Sequence, residues 1–94
     1  MDDLITRWQD FQAQPFPREY AGREIQGIDV VALDTFTAGC ISTYIARNGQ
    51  LDTQGRIILQ TCIQDLQTVT GQLQGAGQAY FVQLLRLANE CYTP

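Results

Sequence analysis

Between Ile28 and Arg47 the spacing of apolar residues describes a helix that is apolar around nearly its whole circumference, and this most constrains the fold. At 100° per residue, Ile28, Val31, Ala32, Phe36 and Gly39 cover one arc, while Val30, Leu33, Ile41, Tyr44 and Ile45 cover much of the other. Such a helix is a central one, enclosed by other elements or by a second subunit. Asp29 falls in its first turn, and Asn48-Gly49 supplies a left-handed stop at its end.

Three further segments share the helical period. Leu4, Trp8 and Phe11 recur at i, i+4 and i+7 and predict a short N-terminal helix over about residues 3 to 12, with Asp2 or Asp3 complementing its dipole. Pro15-Phe16-Pro17 ends it, because proline removes an amide donor and restricts the residue before it, leaving residues 13 to 26 as a long polar connection. After Leu51, with Asp52 or Thr53 as N-cap, the residues Ile58, Leu59, Cys62, Leu66, Val69 and Leu73 line one face, opposite Gln60, Gln64 and Gln67. Gly71, Gly75 and Gly77 then mark a turn. Beyond it Tyr80, Phe81, Leu84, Leu87, Ala88 and Cys91 repeat at helical spacing, with Arg86 and Glu90 placed as an i, i+4 pair on the polar side.

Two runs, Ile28 to Leu33 and Arg56 to Leu59, would also suit strands. Neither adjoins a two-residue hairpin turn, so both are assigned to helices. The fold class is therefore all-α: a single domain over residues 1 to 94, a small bundle of three longer helices preceded by a short N-terminal one.

Composition narrows function more than it names it. The 94 residues contain no His, and all six basic residues are Arg, so the side chains behind most acid-base, Schiff-base and metal chemistry near neutral pH are missing. A net charge of −4, with Arg7, Arg18, Arg23, Arg47, Arg56 and Arg86 dispersed, opposes nucleic-acid binding. Two acids, Asp29 and Asp34, interrupt the most apolar stretch and make it a poor membrane span. The start, Met1-Asp2-Asp3-Leu4, does not read as a signal peptide, and the expectation is a cytoplasmic protein. No cofactor is implied and no metal motif occurs; Gly75-Ala76-Gly77 follows a helix and lacks the lysine of a phosphate loop.

Three residues stand out as candidates. Asp34 lies mid-way along the most apolar helix, where a carboxylate must be hydrogen-bonded, ion-paired or protonated, and enzymes exploit carboxyls of this kind. Phe16, between two prolines, is either an anchor for a partner or a lid on the chain's own core. Cys40, with Cys62 and Cys91, falls on one of three different predicted helices. The cysteines can converge in the core, and without a CxxC pair they read as inert small hydrophobes.

The strings Gly27-Ile28-Asp29-Val30-Val31-Ala32-Leu33-Asp34, Ala38-Gly39-Cys40, Gly49-Gln50-Leu51-Asp52 and Tyr80-Phe81 resemble a group of short bacterial proteins of unassigned role. The resemblance implies a bacterial, all-helical protein and carries no activity. The leading functional expectation is protein–protein interaction, with a homodimer formed through the Ile28 to Arg47 helix. Its rivals are a small-ligand site or enzyme built around Asp34, and a thiol-responsive regulator.

Overall fold

In the computed structural model, which describes residues 1–93, four helices carry the fold: α1 (Asp2–Gln12), α2 (Val30–Ala46), α3 (Thr53–Thr70) and α4 (Gly75–Tyr92). This is the small helical bundle that the periodicity predicts. One turn of 3₁₀ helix (Arg18–Tyr20) and a two-stranded antiparallel ribbon, β1 (Glu24–Ile25) and β2 (Ile28–Asp29), occupy the connection after α1.

The ribbon corrects the reading of this segment. Gln26 and Gly27 have φ of 54° and 78°, the positive pair required by the two-residue turn that best matches strand twist. Gln stands where Asn or Asp usually marks such a turn, so the signal is weak in sequence. Ile28 and Asp29 consequently belong to β2, and α2 begins at Val30. Asp29 is its N-cap, the carboxylate accepting the Ala32 N–H at 3.0 Å. At the other end Asn48 and Gly49, with φ of 57° and 87°, make the left-handed stop.

Asp52 caps α3 in the same way, accepting the Gly55 N–H at 2.7 Å. The buried arc of α3 is Leu59, Cys62, Ile63, Leu66 and Val69. Ile58, expected on this face, is exposed, and Ile63 replaces it. The arc centres on Leu59 and Leu66, which leaves Ile58 and Ile63 on its two shoulders, and only the Ile63 shoulder is covered.

The inward face of α4 is as expected: Tyr80, Phe81, Leu84, Leu87, Ala88 and Cys91 are all buried. Gly77 lies within the helix and not in the turn before it. The Tyr20 ring fills the place where a Cβ at Gly77 would stand, which explains a glycine here.

α4, and not α2, takes the central place, since it packs against α1, α2 and α3. Trp8 and Phe11 of α1 stack at 5.7 Å, and Phe11 meets Tyr80 at 4.7 Å between ring centroids. Arg7 grips Glu90 with both terminal nitrogens, at 2.5 and 2.6 Å, and Asp3 with Nε at 2.9 Å. Glu90 therefore pairs across helices through the bidentate geometry that guanidinium favours, instead of with Arg86. The consequence for α2 is that α1 and the loop behind it are spent on α4.

Candidate interaction surface

The outward side of α2 and the first half of α3 leave a contiguous apolar face open. Phe36 is 61% exposed, Ile57 59% and Ile58 43%, while Val31, 41% exposed, stands 140° around α2 from Phe36 and outside this face. Single exposed apolar residues are ordinary on a protein surface, whereas three large ones together on adjoining helices are a feature that asks for an explanation.

The helix phase of α2 shows how the face arises. Val30, Leu33, Thr37, Cys40, Ile41 and Tyr44 turn inward, and between them and solvent the opposite arc carries Val31, Thr35, Phe36, Gly39 and Thr43. Apart from Val31 and Phe36 these outward residues are small. The α2–α3 groove beside them is consequently shallow and lightly filled, and a ridge made by Phe36 and Ile58 divides it into two hollows.

One hollow, of about 330 Å³, is bounded by Gly39, Cys40, Thr43, Leu51 and Gly55, with Arg47 and Asp52 at its rim. The other, of about 460 Å³, is bounded by Ile28, Ala32, Leu33, Ile57 and Thr61, with Asp29 and Asp65 at its rim. A Cβ at Gly39 would meet nothing within 4 Å, so another backbone can approach there closely. Two of the hydroxyls in this region are already satisfied within their own helices: Thr35 donates to the Val31 carbonyl at 3.0 Å and Thr61 to the Ile57 carbonyl at 3.2 Å. Covering these two orphans neither donor.

The three candidates from sequence lie apart from one another. Asp34 is half-buried and accepts a hydrogen bond from the Tyr80 hydroxyl at 2.7 Å, tying α2 to α4. Burial holds its carboxyl above the usual carboxylate range, with the Tyr80 hydrogen bond pulling the other way. It borders neither hollow. Phe16 sits edge-on to Tyr80 at 5.8 Å and to Phe81 at 5.9 Å, acting as a lid on the chain's own core. Cys40 is buried at the floor of the smaller hollow.

All three thiols are buried and free. Burial pushes each of them up, Cys91 to about 12, with a hydrogen bond to Thr37 pulling Cys62 partly back. High thiol pKa values disfavour the reactive thiolate. No group of three or more Cys, Asp or Glu side chains able to hold a metal gathers among the described residues. No helix among them is long and apolar enough to cross a membrane.

Sequence reasoning identified Phe36 as part of an apolar arc but missed the contribution of α3. The signal was present in the adjacent pair Ile57-Ile58, which lies 100° or more away from the Leu59 to Leu66 line on one side or at its edge. Asp65 is legible as a carboxylate at the border of its helix face, near enough to approach Asp29 or Asp34, whereas the place of Arg47 depends on which side of α2 is left open.

No known protein family, curated protein or solved structure matches this chain.

Proposed function

We propose that the protein is an interaction module that self-associates, using the α2–α3 face as an isologous two-fold contact. The observation that carries this reading is the exposed Phe36–Ile58 ridge standing beside hollows on the same face. A knob and a hole on one surface are mutually complementary between two copies, which is the condition for a closed dimer. The elements that would otherwise cover α2 are engaged elsewhere: α1 packs on α4, with Phe11 against Tyr80, and Phe16 lies against Tyr80 and Phe81.

Sedimentation or light scattering over a wide concentration range tests the proposal. The native chain is expected to pass from monomer to dimer, and Phe36→Ser to remain monomeric at every concentration with unchanged helical content. A native chain that stays monomeric into the high micromolar range overturns it.

A further inference from the structure

Two unpaired charges at the ends of the open face specify how two copies meet. Arg47 forms no ion pair among the described residues, and neither does Asp65. They lie at opposite ends of the groove, Arg47 with Leu51 and Gly55, Asp65 with Gly27 and Ile28. The other two carboxylates at the rim are committed to helix caps, Asp52 to the Gly55 N–H and Asp29 to the Ala32 N–H. Both capping carboxylates keep their charge, so the Arg47 end carries one cation and one anion while the other end carries two anions, Asp29 and Asp65, and the free partners are Arg47 and Asp65.

We infer that two copies pack with α2 antiparallel to α2 about a two-fold axis that crosses the outward face level with residue 38, placing Phe36 of each in the hollow beside Gly39 and Cys40 of the other and Arg47 of each against Asp65 of the partner subunit. This rests on the self-association proposed above and adds its orientation and register. A parallel arrangement would set Arg47 beside Arg47 and Asp65 beside Asp65, which like-charge repulsion penalises. The antiparallel one makes two opposite-charge contacts and offsets part of the repulsion between chains that each carry −4.

The register follows from two independent spacings. Ala38 is midway between Phe36 and Cys40, so an axis there brings the ridge of one copy into the smaller hollow of the other. Ala38 is also midway between Asp29 and Arg47, so the same axis brings each Arg47 level with the acidic end that holds Asp65. Seating Phe36 in the larger hollow instead would move the axis toward the start of α2 and carry Arg47 beyond the acidic end. Gly39, beside the axis, removes the side chain that would hold the helices apart.

A charge-swap pair tests the arrangement, with circular dichroism confirming that each variant folds. R47E and D65R are each expected to weaken self-association by at least about ten-fold at low salt, because each places like charges together at both ends. Mixed in equal amounts, the R47E and D65R chains are expected to form a heterodimer in strong preference to either homodimer, since both ends are then complementary again. Raising the salt concentration should shrink the preference. If native protein dimerises but the two variants associate as it does and mix statistically, the antiparallel register is overturned while self-association stands. If native protein never dimerises, both fall. Should D65R not fold, a spin label at Ala46→Cys, attached before the buried thiols react, decides: antiparallel packing separates the two labelled backbones by about 24 Å along the axis, at 1.5 Å per residue, and parallel packing sets them side by side.

Discussion

The inward and outward faces of α2 share one backbone, and both carry large apolar side chains, but they end in opposite environments. Ile41 and Val30 are fully buried, whereas Phe36 is the most exposed large apolar side chain of the described residues. Local hydrogen bonding does not separate the two faces. Thr37, fully buried, donates to the Leu33 carbonyl at 2.7 Å, and Thr35, exposed, makes the same bond to the Val31 carbonyl at 3.0 Å. What separates them is which neighbours reach them: α3 and α4 close on one side, and none of the described elements closes on the other. Apolarity therefore states a demand for cover, and the packing of the remaining elements decides where that demand is left unmet.

The largest expected effect is on the inward side. Ile41→Ala should cost about 2–5 kcal/mol, the range for truncating a buried aliphatic side chain, while Phe36→Ala measured on dilute monomer should stay within about 0.5 kcal/mol. Leu66→Ala against Gln64→Ala on α3 should reproduce the same contrast, Leu66 being fully buried and Gln64 exposed. Denaturant melts read both pairs. Equal losses at Ile41 and Phe36 would break the distinction between the faces.

A smaller contrast sharpens it with glycine. Gly77→Ala should destabilise the monomer by about 1–3 kcal/mol, because the new methyl group must displace the Tyr20 ring. Gly39→Ala has open space around it and should stabilise the monomer by up to about 1 kcal/mol through helix propensity. Thermal melts at low protein concentration would separate the two, and a loss at Gly39 would show that the outward side is already packed in the monomer.

The smallest expected effect lies at the shoulder between the faces, where Asp34 meets Tyr80. Its carboxyl is raised by burial, so the folded chain holds that proton more tightly than the unfolded chain does. The contribution of Asp34 to stability is therefore greatest in acid and declines as pH rises from about 4, the usual carboxylate value, through the raised one. Glu90 runs the other way: hydrogen bonding to Arg7 depresses it, so its contribution is present above the usual carboxylate value and lost as pH falls through the depressed one. Denaturant titrations across this range should show native protein losing ground to Asp34→Asn as pH rises. A pH-independent difference between the two would mean that Asp34 is not held above its ordinary range.

The sequence by itself determined the helix count, the inward residues of α4, an N-cap of α3 at Asp52 or Thr53, and the Asn48-Gly49 stop. Each of these depends on periodicity or on chemistry within a few residues, which a linear chain displays directly. It also placed Phe36 in an apolar arc that needs cover. Only the tertiary structure decided that α4 is central, that Glu90 reaches Arg7, and that Ile63 is covered while Ile58 is not, because these outcomes depend on how helices far apart in sequence divide a limited amount of covering surface. The ribbon at residues 24–29 was hidden for a local reason, an atypical Gln in a left-handed turn position. The open α2–α3 face joins both kinds of information: apolar spacing supplied its residues, and the engagement of α1 and Phe16 by α4 left it uncovered.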